Sequence, residues 1–290
     1  MSKANLIINA DQSVYHLGLR PEEMSDFIIT VGDPSRVAMV SSYFDTIESR
    51  NSSREFVTHT GTFQKKRLTV ISTGIGTDNI DIVLNELDAL LNVELTSGIP
   101  KEKFTRMCIV RIGTSGAVRE DIPLDSLLIT QKAIGLDSLL HNYNRVPNEE
   151  EMDLRKQCTL CMPSLPLPYL AEADRSMLQH FHQGDDFIAG TTVTAPGFYG
   201  PQGRQLRIGI RYPELIRQIS ALRIKNSIVT NLEMETSGIY GLAGLMGHRS
   251  ISCSAILANR VKDSFSNHAE QTIRRLIEIC LQKIVSFDNS

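Results

Sequence analysis

The run Thr194-Ala-Pro-Gly-Phe-Tyr-Gly-Pro-Gln-Gly-Arg204 holds the first side chains suited to a specific chemistry. Gln202 carries an amide, which both accepts and donates hydrogen bonds. Arg204 carries a rigid fork of donors. Together they match the edge of a flat heterocycle such as a pyrimidine-2,4-dione, with one N–H between two carbonyls. Gln202 can accept from that N–H and donate to one carbonyl, and Arg204 can donate to the other. In isolation the same residues also suit a solvated polar loop.

Other segments offer complementary chemistry. Gly32-Asp33-Pro34-Ser35-Arg36 stands where a strand ends and a helix begins. Glycine allows close backbone approach, a helix start offers free N–H groups and a positive dipole end, and Arg36 can grip an oxyanion. The segment reads equally as a plain β–α turn. Arg111-Ile-Gly-Thr-Ser-Gly116 closes the buried run from Met107, where a charge needs a partner. That partner is either a structural carboxylate or a ligand at the strand's C-terminal edge. Ser72-Thr-Gly-Ile-Gly76 fits neither dinucleotide nor P-loop spacing, so it reads as a tight turn. Asn231-Leu-Glu-Met-Glu235 places two carboxylates two residues apart, which cannot share one helix face. One is expected to serve structure and the other to face a cleft, where it could accept from a vicinal diol such as ribose. A helix dipole would favour acids there in any case. His16 and Arg54 carry no signal alone.

These segments depend on regular elements to bring them together. Apolar runs predict strands near residues 26–31, 55–63, 67–72, 107–112, 127–134, 187–194, 227–230 and 250–258. Helices are predicted near 34–44, 168–182, 213–222 and 234–246. Two more follow from apolar stripes, one through Ile80, Val83, Leu84, Leu87, Leu90 and Leu91, the other through Ile273, Leu276, Ile277, Cys280, Leu281 and Ile284. The stretch 141–167 shows little periodicity and reads as an irregular surface excursion. Strands alternating with helices indicate an α/β sheet covered on both faces. With no linker-like break, residues 1–290 are expected to form one domain.

At 290 residues the chain can bury a sizeable core. Net charge is −3 and no basic run occurs, which argues against nucleic acid as the main partner. Residues 1–11 lack a leader pattern and no 18-residue apolar span is present, so a cytoplasmic protein without membrane contact is expected. Cys108, Cys158, Cys161, Cys253 and Cys280 form no disulfide framework. Cys158 and Cys161 lack the second pair of a zinc set, and no metal is expected.

In chain order, YHLGL, GDPSR, SREF, STGIG, RIGTSGAV, FYGPQGR, NLEME and ANR resemble the nucleoside phosphorylase family from His16 to Arg260, and within it the uridine-cleaving branch. The resemblance implies a mixed central β-sheet flanked by helices, and reversible phosphorolysis of uridine to uracil and ribose 1-phosphate. It assigns Gly32, Arg36, Arg54, Arg111 and Thr114 to phosphate, with Arg54 serving the neighbouring subunit. His16, reaching across the same dimer contact, together with Met234 and Glu235, would bind ribose. Phe198, Gln202 and Arg204 would bind the base. Arg111, Glu235 and Arg204 would carry catalysis by positioning and electrostatics. It further implies a homodimer with shared sites, assembled into a hexamer. Phosphate is then a co-substrate and no cofactor is expected.

There are departures. Glu55 and Ile75 match a monovalent-cation set used by some relatives, but its serine is Asn79 here. Purine-cleaving relatives have an Asp where this chain reads Ala258-Asn259-Arg260, which favours a pyrimidine. Leu257 and Ala258 replace a branched pair, so the base pocket could admit thymidine-type bases. A purine phosphorylase, a hydrolytic nucleosidase and a non-catalytic nucleoside binder are the alternatives.

Overall fold

The structure is a computed structural model and describes residues 5–225 and 227–288. Its large mixed sheet carries, from one edge, the strands Ser227–Glu233, Ile188–Thr194, Leu127–Gly135, Arg249–Asn259, Cys108–Ala117, Phe27–Val31, Lys66–Ser72, Phe56–Phe63 and Thr46–Ser53. The first of these pairs back onto Cys108–Ala117 through Asn231–Ala117 and Leu232–Gly116. Five strands therefore close a ring, Phe27–Val31, Lys66–Ser72, Phe56–Phe63 and Thr46–Ser53 extend from it as an open sheet, and the short strands Tyr169–Glu172, Arg223–Ile224 and Ser264–Phe265 pair along its flanks.

Helices cover both faces. We label them α1 (Pro34–Ser41), α2 (Thr77–Asn92), α3 (Glu149–Cys161), α4 (Arg175–Phe181), α5 (Leu215–Ala221), α6 (Thr236–Met246) and α7 (Ala269–Ser286). Val37, Val40, Met177, Leu276 and Ile277 bring α1, α4 and α7 into one core cluster. Ile80, Leu84, Leu87, Ile239 and Tyr240 bring α2 and α6 into a second. Leu154, Cys158, Leu215 and Ile219 join α3 and α5 in a third. Cys108, Cys158, Cys253 and Cys280 are buried in these cores, and burial pushes the thiols of Cys108 and Cys158 up to about 12. Among the described residues, no helix is long and apolar enough to cross a membrane.

The structure corrects several sequence expectations. The stretch 141–167 contains α3, not only irregular chain. Few apolar residues of α3 face inward, Leu154 and Cys158 among them, so its period was faint. Polar contacts anchor it instead. Asn148 accepts from the Glu151 N–H, and buried Glu151 pairs with Arg145 and Arg155. The helix expected at 168–182 divides into a strand, Tyr169–Glu172, and α4, which Asp174 caps. The Tyr169 ring occupies the space where Gly135 lacks a Cβ, 2.2 Å from the atom a larger residue would place there. The strand Thr46–Ser53 escaped detection because it is a polar outer strand with no fully buried position.

Candidate active site

A cavity of about 860 Å³ opens where several parallel strands end, the place where open α/β sheets commonly take ligands. Most of the candidate residues line it: Gly32, Arg36, Arg111, Thr114, Phe198, Gln202, Arg204, Met234 and Glu235. His16 and Arg54 do not, although Glu55, beside Arg54, does.

Arg111 lies within the Cys108–Ala117 strand and not at its end. The polar run RIGTSG hid the strand's continuation, which pairing with Ser227–Glu233 and Arg249–Asn259 supports. The guanidinium folds back over Gly113, where a Cβ would fall 1.8 Å from Nη1. Only glycine leaves that path open.

Two carboxylates meet Arg111. Its Nη2 lies 2.7 Å from Glu235 Oε2 and 2.9 Å from Glu233 Oε2. Glu233 is also the structural acid. It accepts from the backbone N–H groups of Glu235 and Thr236 and from the hydroxyls of Thr194 and Thr236, tying down the start of α6. Glu235 faces the cavity and accepts the Gly76 N–H at 2.7 Å. The STGIG turn thus holds a carboxylate, a role its spacing did not reveal. Gly74 and Gly76 take φ of +68° and +93° there, conformations that favour glycine.

Burial pushes the Glu235 carboxyl above its ordinary range, with Glu233 adding to the effect and Arg111 opposing it. For Arg111, burial disfavours the charge, but the two carboxylates outweigh it and raise its pKa. Arg36 shifts downward, first because it is largely buried and then because Arg111 repels it. An anion placed against Arg36 would offset both its desolvation and its repulsion from Arg111.

The start of α1 differs from expectation. Pro34 has no N–H, the Ser35 N–H donates to Asp33 Oδ1 at 2.8 Å, and the Arg36 N–H donates to the Asp33 carbonyl. The first helical donors are already occupied, so anion binding there falls to the Arg36 side chain. Gly32 has another use. A Cβ would meet only the Gly74 carbonyl, at 3.5 Å. Packing alone does not require a glycine at that position, whereas close approach of a ligand would.

The polar pair on the FYGPQGR loop is preorganised. Residues Gly200–Gln202 form a short helical turn, and Gly203 takes φ of +70°, bringing Gln202 and Arg204 together. Arg204 donates to Gln202 Oε1 and to the Phe198 carbonyl, and stacks 4.0 Å from the Phe198 ring centroid. Burial, and then the nearby charge of Arg260, pull the Arg204 guanidinium down to about 10, so it stays cationic at neutral pH. Arg260, which the sequence reading did not select, donates to the Gln202 carbonyl at 3.1 Å. Its buried Nη1 has no hydrogen-bond partner.

Asn259 is engaged elsewhere. It donates to the Arg119 and Ile122 carbonyls and accepts from the Val261 and Lys262 N–H groups. Glu55, Ile75 and Asn79 all line the cavity. No group of metal-ligating His, Cys, Asp or Glu occurs among the described residues.

His16 and Arg54 stand outside this cavity. His16 Nδ1 lies 2.6 Å from Glu86 Oε1. Arg54 sits at a hairpin turn with φ of +54°, and its guanidinium lies 5.2 Å from the Tyr15 ring centroid.

A model of the phosphorylase superfamily matches residues 26–286. A uridine phosphorylase of Thermococcus kodakarensis is 30% identical over 257 residues, covering 89% of this chain and 81% of that protein. A DeoD-type purine nucleoside phosphorylase of Buchnera aphidicola is 23% identical, covering 94% of this chain and 100% of that protein. The crystal structure of a Trypanosoma brucei nucleoside phosphorylase, described as showing uridine phosphorylase activity, superposes with a TM-score of 0.88 at 30% identity. It covers 97% of this chain and 100% of that one.

Proposed function

The chain belongs to the phosphorylase superfamily, and on that footing we propose that it catalyses the reversible phosphorolysis of uridine to uracil and ribose 1-phosphate. The observation that carries this reading is one cavity lined by both the Arg36–Arg111 pair and the Gln202–Arg204 pair. The first suits a phosphate dianion, the second a uracil edge.

In the proposed mechanism phosphate is the nucleophile, so no covalent enzyme intermediate forms. Arg36, Arg111, Thr114 and the Gly32 backbone hold it beside C1′. Glu235 has lone pairs left after Gly76 and Arg111 are satisfied, and these accept the 2′- and 3′-hydroxyls. Met234 packs against the sugar. As the glycosidic bond breaks, positive charge develops on ribose and negative charge on uracil. Arg204 and Gln202 stabilise that leaving charge, an interaction stronger in the transition state than in the ground state.

Uridine cleavage should require phosphate and yield ribose 1-phosphate. Absorbance change on mixing protein with uridine, with and without phosphate, measures this directly. Equal uracil release in phosphate-free buffer, with free ribose as product, would show a hydrolase instead. Tight uridine binding with no turnover in either buffer would leave a binding protein.

We further propose that His16 and Arg54, outside their own cavity, serve the site of a second copy across a two-fold contact. His16 would meet the ribose 5′-hydroxyl and Arg54 the phosphate. Chains inactivated by His16→Ala together with Arg54→Ala should then complement chains inactive through Glu235→Ala. Random reassembly of dissociated subunits would restore about a quarter of full activity, because each mixed dimer keeps one intact site. No recovery after verified mixing would count against shared sites.

A further inference from the structure

We infer that Glu86 is a positioning residue that sets the tautomer and direction of the His16 ring for the ribose 5′-hydroxyl. The inference rests on the proposed cross-subunit role of His16.

Glu86 lies on α2, the helix whose first turn contributes Asn79 to the cavity lining. It is only 8% exposed. A buried carboxylate on a helix face costs stability unless donors meet it. Three do, all from one dipeptide. The His16 N–H lies 3.1 Å from each carboxylate oxygen, the Leu17 N–H donates to Oε2 at 2.9 Å, and His16 Nδ1 lies 2.6 Å from Oε1. The two backbone contacts anchor the N-terminal segment.

The ring contact has a chemical consequence. An ionised carboxylate only accepts hydrogen bonds, so Nδ1 must carry the proton. A neutral ring then presents Nε2 as an acceptor, the form suited to a hydroxyl donor. The ring is held from its backbone as well, since Ser53 Oγ donates to the His16 carbonyl at 2.7 Å. Tyr15 packs edge-on against the imidazole at 4.8 Å between centroids. One side of the ring is therefore fixed while the side chain remains 30% exposed toward solvent. Helix α2 thus links two sites: its start contributes to the subunit's own cavity and Glu86 prepares a group for the neighbour's.

The test compares kcat/KM for uridine and 5′-deoxyuridine at saturating phosphate in wild type, His16→Ala, Glu86→Gln and the double variant. Glutamine keeps one acceptor for the backbone, which favours folding. Its amide N–H₂ can donate to Nδ1 and so invert the tautomer. Wild type should prefer uridine about tenfold or more, the scale of one hydroxyl hydrogen bond. Glu86→Gln should reduce this preference to within about twofold of His16→Ala, and the double variant should reduce it no further. If Glu86→Gln lowers both substrates by the same factor, or its effect multiplies with that of His16→Ala, Glu86 is merely structural and the inference falls. If His16→Ala itself keeps the wild-type preference, the cross-subunit reading fails and the inference goes with it.

Discussion

Uridine should be cleaved about 10⁴-fold more efficiently than cytidine, and inosine should be a very poor substrate. Cytidine replaces the N3–H donor with an acceptor and one carbonyl with an amine. A freely rotating glutamine could answer the first change by flipping its amide. Here the flip is opposed, because Arg204 donates to Gln202 Oε1 and a flipped amide would set N–H groups against the guanidinium. Arg204 itself would face the cytosine amine with donors only. Each unpaired buried polar group costs about 1–3 kcal/mol, and several are created at once. Gln202 is only 4% exposed, so water cannot readily repair the mismatch. Inosine fails for another reason. No Asp stands at the end of the Arg249–Asn259 strand to protonate a purine, and Asn259 is engaged with the Arg119 carbonyl and the Val261 N–H. The check is kcat/KM for all three nucleosides on one preparation. Inosine matching or exceeding uridine would place the protein on the purine branch. Arg204→Ala should lower kcat as well as raise KM for uridine, because the leaving-group charge loses its donor.

Arg111→Met should damage both fold and reaction. The guanidinium is the shared counterion of Glu233 and Glu235, and all three are nearly buried. Removing one member of such a cluster leaves uncompensated charge and costs about 3–5 kcal/mol. If Arg111 binds phosphate as proposed, its loss should lower kcat/KM for phosphate by roughly 10²–10³ as well. The two effects separate in the double variant Arg111→Met with Glu235→Gln. Neutralising Glu235 should recover part of the stability while activity stays low. Denaturant unfolding together with phosphate-dependent kinetics tests both halves. Wild-type stability in Arg111→Met would refute the buried-cluster account, and an unchanged phosphate KM would refute the binding role.

Much of the architecture was legible because it follows from local pattern. Apolar stripes located α2 and α7, since a helix with one buried face must repeat near every 3.6 residues. Continuous apolar runs located the central strands, which are buried on both faces. Where burial is supplied by polar contacts the pattern fails. Helix α3 is held by Asn148, Glu151 and their partners, so its stretch shows little helical period. Of the strand Cys108–Ala117 only the part up to residue 112 is legible in the sequence, because its outer half turns polar as it lines the cavity.

For the site, the chain order of its motifs marked Arg36, Arg111, Gln202, Arg204 and Glu235 as chemistry-bearing, and the fold gathers all five on one cavity. Their partners belong to tertiary structure alone. Gly76 meets Glu235 across 159 residues, Arg111 meets Glu235 across 124, and Glu86 meets His16 across 70. Residue type and spacing announce that a side chain can donate, accept or carry charge. Which groups satisfy it, and therefore which tautomer, amide orientation or charge state it keeps, depends on distances between distant segments. Those distances exist only once the sheet has closed and the helices have packed against it.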